Sequence, residues 1–213
     1  MGLQVASVVR GAQAQGQDRA DVLQSAEGLV IVVADGAGGI IGGGEAADAV
    51  LAAFRMFPPT RDAITKYGFG ARELLALDEM MYDDPQCGQA AAVAVAIGHG
   101  MVVGASVGDS QAWLIDQTGH ASLTAGQART PFLGSGGAVP RAFKTDAVQA
   151  RLLVATDGLF RYAAAEDICE AARTGRVEDA AGALIELAQL PSGELMDDVA
   201  VVLCEVPGGA PDE

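Results

Sequence analysis

LVIVVADGAGGIIGGG, residues Leu29 to Gly44, runs from uninterrupted apolar side chains into an acid and a glycine-rich turn. Leu29 to Ala34 carries no polar residue and is rich in β-branched side chains, the pattern of a strand covered on both faces. Asp35 sits where that core ends, and a carboxylate at a buried strand end is costly unless it is paired or bound to a cation. Gly36, Gly38 and Gly39 permit a sharp turn that brings backbone groups close to whatever Asp35 holds. Helical spacing resumes at Glu45 and continues through Ala46, Val50, Leu51, Phe54 and Phe57. The unit is strand, acidic glycine turn, helix.

Other chemistries use that unit, and the residues discriminate among them. A dinucleotide fingerprint places glycines as G-x-G-x-x-G, but counted from Gly36 and Gly38 the third position is Ile41. A phosphate-cradling loop needs Gly-Lys-Ser/Thr, and this turn contains no lysine. Two readings remain: a cation held by Asp35, or Asp35 as a helix cap.

Working outward, the 213 residues are 50% hydrophobic, enough to bury a substantial core, and we expect one domain over residues 1–206 with a disordered tail at 207–213. Asp and Glu number 28 against 13 Lys and Arg, a formal charge of -15, which argues against nucleic-acid or anionic-membrane partners. Cys87, Cys169 and Cys204 stand far apart and form no C-x-x-C, so a reducing cytoplasm is the expected setting. The N-terminal MGLQVASVVRG lacks a basic leader region, Ala6 stands where a myristoylation site wants Ser or Thr, and no run is long enough to span a bilayer.

Leu3 to Val9 reads as a first strand, followed by a polar loop, GAQAQGQDRAD, that carries Asp18 and Asp21. The helix from Glu45 to Phe57 should stop at Pro58 and Pro59, and a second helical region, roughly Arg61 to Met81, is broken at Gly68 and Gly70. From Ala90 the period becomes two: Val93, Val95 and Ile97 on one face, Ala92, Ala94 and Ala96 on the other, closely packed face. Turns at His99-Gly100 and Gly108-Asp109-Ser110 then predict a three-strand antiparallel meander. Gln117 to Gly137 reads as a surface segment near the cleft. Arg151 to Thr156 is another apolar run ending in Asp-Gly. Two helical segments follow, Ala165 to Ala172 and one carrying Val177, Ala180, Ala181, Leu184 and Leu187. A final strand, Val199 to Val206, is entered through Asp197-Asp198.

Acids thus recur at strand ends: Asp35, Asp109, Asp157 and Asp197-Asp198, with Asp18 in a loop. One turn acid alone is commonplace. If several converge, neighbouring carboxylates repel by roughly 4 kcal/mol per pair at about 4 Å and a dielectric of 20, and cations are the natural compensation. Oxygen-only ligands point to Mg²⁺ or Mn²⁺.

The order QD, DGAGG, GDSQAWL, ATDGLF, DDVAVV resembles that of the metal-dependent protein phosphatases (PPM, or type 2C), from about Gln17 to Leu203. The resemblance implies an α+β fold, a sandwich of two antiparallel β-sheets flanked by α-helices on both sides. It implies hydrolysis of phosphoserine and phosphothreonine monoesters by a water bridging two Mn²⁺ or Mg²⁺ ions, with a third ion in some bacterial members. Carried over, Asp35 resembles the carboxylate that bridges the two ions, with the Gly36 carbonyl on one of them. Asp157 and Asp197 resemble the terminal ligands of the other, Asp109 a ligand of the third, and Asp18 an acid that acts through a bound water. The implied partners are a phosphorylated protein and an opposing Ser/Thr kinase, and we expect a monomer.

Four positions depart from the family pattern: Ala37 for a His, Gln17 for a Glu, Arg161 for an Asp that helps the third ion, and Gln13 for an arginine that binds the substrate phosphate. Gln13 and Arg161 keep a rival open, a pseudophosphatase that binds phosphoproteins with little turnover. A serine-hydrolase reading of Gly108-Asp109-Ser110-Gln111-Ala112 lacks a suitably placed histidine, since the two in the chain are His99 and His120.

Overall fold

The computed structural model describes residues 3–37, 42–56 and 60–208. In chain order its elements are β1 (Val5–Arg10), β2 (Arg19–Ser25), β3 (Gly28–Gly36), α1 (Gly43–Arg55), α2 (Arg61–Thr65), α3 (Ala71–Asp83), β4 (Ala90–Gly98), β5 (Met101–Val107), β6 (Gln111–Ile115), β7 (His120–Ser122), β8 (Arg141–Asp146), β9 (Ala150–Ala155), α4 (Asp157–Tyr162), α5 (Ala165–Arg173), α6 (Val177–Leu187) and β10 (Val199–Val206). The strands form two five-stranded antiparallel sheets, ordered β2-β3-β4-β5-β8 and β1-β10-β9-β6-β7.

Period-two alternation builds the layers. Leu29, Ile31 and Val33 of β3, with Val93, Val95 and Ile97 of β4, face Leu114, Leu152, Val154, Ala200 and Val202 of the other sheet. The opposite face of β4 presents Ala92, Ala94 and Ala96 to Val50, Leu51 and Phe54 of α1 and Leu74 of α3, the small side chains letting the helices sit close. On the outside of the second sheet, α6 packs Val177, Ala180, Ala181, Leu184 and Ile185 against Val199, Val201 and Leu203 of β10. The result is helix, sheet, sheet, helix, the expected sandwich.

Three expectations are corrected. Arg19–Ser25 is a strand, not part of a loop, and Asp21 lies inside it, paired with Arg55 of α1 at 2.5 Å. It is a sheet edge with polar, half-buried side chains, so hydropathy does not mark it. The β4-β5-β6 meander fails at its second turn: β5 pairs with β4 and β8, whereas β6 pairs with β7 and β9 in the other sheet. Gly108, at φ 83°, makes that crossing, and a Cβ there would stand 2.5 Å from the Ala91 side chain. The segment after Gln117 is not wholly superficial, because it contains β7 and because Leu133 is buried and pairs its backbone with Ala90. Gly38 and Gly39 of the expected turn, the helix stop at Phe57 to Pro59, and residues 209–213 of the expected tail lie outside the described residues. No described helix is long and apolar enough to cross a membrane.

Candidate metal centre

Antiparallel pairing puts the end of β3 beside the starts of β2 and β4, and the end of β9 beside the starts of β6 and β10. All the candidate acids stand at that end of the sandwich. Asp35 is the penultimate residue of β3, opposite Ala91 of β4, with buried Gly36 following it opposite Ala90. Asp109 lies in the β5-β6 crossing and Asp157 opens α4 directly after β9. Gly158 lies so close to the strand-entry segment that a Cβ there would strike the Asp198 carbonyl oxygen, which explains the Asp-Gly sequence.

Asp35, Asp109 and Asp157 each offer a carboxylate oxygen within 4.8 Å of the others. Asp18 is 4% exposed, lies against Thr156 and Asp35, and leaves its Oδ2 buried without a hydrogen-bond partner. Asp197 stands apart from the triad. It accepts from Arg161 Nη1 at 2.6 Å, and Arg161 Nη2 pairs with Asp157 Oδ2. Asp198 accepts from the backbone N–H groups of Ala12, at 2.7 Å, and Gln17, at 2.5 Å, and so fixes the loop before Asp18.

The crowding of like charges in a poorly solvated place is visible in the proton affinities. Burial, reinforced by the charges of Asp18, Asp157 and Asp109, pushes Asp35 up to about 10. Burial raises Asp18 to about 7 against the pull of Thr156, with Asp198 adding to the rise. Burial and then Asp109 raise Asp157 to about 6, partly opposed by Arg161. The donors are all oxygen, one buried carboxylate oxygen has no partner, and the acids resist ionising together. This set fits a hard divalent cation and can chelate one.

Sequence reasoning missed Arg129. It extends from the segment between β7 and β8, its Nε 2.8 Å from Asp109 Oδ2 and its Nη2 4.0 Å from Asp157 Oδ2, with the side chain 67% exposed. Nothing in the local sequence marks it, because the contact is made across elements. The Thr156 contact and the clamp of Asp198 on the loop were equally invisible. Arg19 is held by Asp48 at 2.7 Å and by the carbonyls of Gly16 and Asp18. Gln13 is exposed on the same loop. The histidines take no part: His120 stacks on Trp113 with centroids 4.0 Å apart, and His99 pairs with Glu27 at 2.9 Å. All three cysteines are free thiols.

No family model and no curated protein matches this sequence. Solved structures do. A bacterial serine phosphatase superposes with a TM-score of 0.83 at 19% identity, covering 99% of each chain. The Staphylococcus aureus serine/threonine phosphatase Stp1 gives 0.83 at 17% identity, over 98% of this chain and 96% of that one. The catalytic domain of the serine/threonine protein phosphatase PstP, solved with two manganese ions, gives 0.76 at 22% identity, over 96% and 98%. The architecture is therefore that of the PPM phosphatases, as the motif order implied. At these identities the likeness carries the fold, and the chemistry has to be argued from the acids.

Proposed function

We propose that this chain is a metal-dependent phosphatase acting on phosphoserine and phosphothreonine monoesters. The observation that carries the reading is the Asp35, Asp109 and Asp157 triad beside the unpartnered Asp18 oxygen, at one end of a PPM-type sandwich. A divalent cation there, Mn²⁺ or Mg²⁺, would polarise the phosphoryl group and make water a competent nucleophile near neutral pH. Asp35, Asp109 and Asp157 are the residues that would hold it, with the Gly36 carbonyl as a further ligand, and Asp197, engaged by Arg161 beside them, would serve a second cation.

The remaining roles belong to side chains of this chain. Asp18, buried and short of a donor, is placed to accept a proton or hydrogen bond from water beside Asp35. Arg129 is mostly exposed and tethered to Asp109 through Nε, and its terminal nitrogens, held only by a 4.0 Å contact of Nη2 with Asp157, can turn toward a phosphate dianion. Arg19 is held in place by Asp48 and two carbonyls. We take the substrate to be a phosphorylated protein, opposed by a Ser/Thr kinase in the cytoplasm.

The test is hydrolysis of an aryl phosphate with and without Mn²⁺, in the parent and in Asp35→Asn. Turnover that needs the cation and disappears in Asp35→Asn, with the fold retained, is the expected result. A second reading, a phosphoprotein-binding module, is favoured by one observation, the engagement of both Asp157 and Asp197 by Arg161. Phosphopeptide binding without turnover under any cation would establish it and refute the enzyme.

A further inference from the structure

Arg161 is the last-turn basic residue of α4, one turn after Asp157, which opens the helix. Its guanidinium joins two carboxylates from different parts of the chain, Asp157 on α4 and Asp197 ahead of β10. A planar fork that satisfies two carboxylates occupies the place where those carboxylates would otherwise share a metal ion. The triad of Asp35, Asp109 and Asp157 stays close-set beside it.

Charge counting ranks the two places. Six carboxylates (Asp18, Asp35, Asp109, Asp157, Asp197, Asp198) against two guanidiniums (Arg129, Arg161) leave four negative charges if all are ionised. One divalent ion reduces that to two, so the first entry is the more strongly favoured. A second divalent ion would meet a less negative site and would find Asp157 and Asp197 already engaged by Arg161. With Arg161 swung aside, the same ion meets two unneutralised carboxylates. The side chain is 38% exposed, so it has solvent to swing into.

We propose that Arg161 is an internal competitor for the second of two divalent cations: the first ion enters the triad with Arg161 in place, and the second binds only by displacing the guanidinium from Asp157 and Asp197. This rests on the metal-dependent reading above and deepens it, since it makes occupancy of the second place depend on cation concentration. The sequence had linked Arg161 only to a third ion. Its contacts place it between the two acids expected to serve the core.

The experiment is calorimetric titration of the chain with Mn²⁺, alongside Arg161→Ala and Arg161→Lys, each confirmed as folded by near-UV circular dichroism. The parent should show one tight step and a second step at least about tenfold weaker. In Arg161→Ala the second step should tighten by about tenfold or more while the first changes little, because a competing unit charge beside two carboxylates has gone. Arg161→Lys, which keeps the charge but not the fork, should fall between. Two equally tight steps in the parent, or parent and Arg161→Ala isotherms that coincide, would overturn the inference and leave the metal-dependent reading standing. Absence of any Mn²⁺ binding in all three proteins would overturn both.

Discussion

Asp78 offers a quantitative test of how the segment that delivers Arg129 is held. It is a carboxylate on α3, 2% exposed, that accepts backbone N–H bonds from Ser135 at 3.0 Å and Gly136 at 3.1 Å on Oδ1, and from Ala138 at 2.9 Å on Oδ2. Together with the Leu133-Ala90 backbone pair, these bonds tie down the chain between Arg129 and β8. In Asp78→Asn the amide oxygen can keep Ser135 and Gly136, but the NH₂ group then meets the Ala138 N–H, donor against donor. One charge-assisted bond is lost and the other two become neutral. Hydrogen bonds to charged groups contribute roughly 1.5 to 3 kcal/mol each, so the variant should lose about 3 kcal/mol. For a chain of this size that is a melting temperature lower by roughly 6 to 12 °C. Asp78→Ala, which abandons all three donors, should lose more. Calorimetric melting with Mn²⁺ held constant measures both, and KM for an aryl phosphate should rise as the Arg129 segment loosens. A shift under about 2 °C for Asp78→Asn would refute the reasoning, because it would mean the three bonds do not hold the segment.

Two further outcomes follow from the site. Asp157 and Asp18 are raised from 3.8 to about 6 and about 7, and Asp35 to about 10, so each binds its proton more tightly in the folded chain than in the unfolded one. That stabilisation is complete below an unfolded value near 3.8 and is lost as pH rises through the folded values. The melting temperature in a chelator should therefore fall between pH 5 and pH 8, and Mn²⁺ should restore more at pH 8 than at pH 5; equal melting temperatures in chelator at the two pH values would contradict the clustering. Gln13→Arg should lower KM for an aryl phosphate by up to about tenfold, roughly 1.4 kcal/mol, with kcat less affected; an unchanged KM there, with a large rise in Arg129→Ala, would assign the phosphate to Arg129 alone.

Much of this protein is legible along the chain because its signals are local. An unbroken apolar run from Leu29 to Ala34, rich in β-branched residues, reads as a buried strand, alternating valine and alanine in β4 reads as facing two layers of different depth, and an acid where such a run ends reads as a cation ligand or a helix cap. Those facts mark the buried strands and put Asp35, Asp109 and Asp157 at their ends, whereas the two-sheet sandwich was implied by the family resemblance that the order of the Asp motifs carries. The tertiary structure decided what depends on pairing across distance. A Gly-Asp-Ser turn between two apolar runs reads the same whether the strands form a hairpin or part into two sheets, and only the pairing of β5 with β4 and β8 and of β6 with β7 and β9 shows that they part. Polar edge strands such as β2 and β8 carry too little apolar patterning to be distinguished from loops, since half of each faces solvent. The partners of Arg161, Arg129 and Asp198 are chosen by groups that meet at the end of the sandwich: Arg161 reaches Asp197 across 36 residues, Arg129 reaches Asp157 across 28, and Asp198 reaches Ala12 across 186. Coulombic attraction acts through space with no trace in the residues flanking either partner, so those contacts exist only once the two sheets have closed on each other.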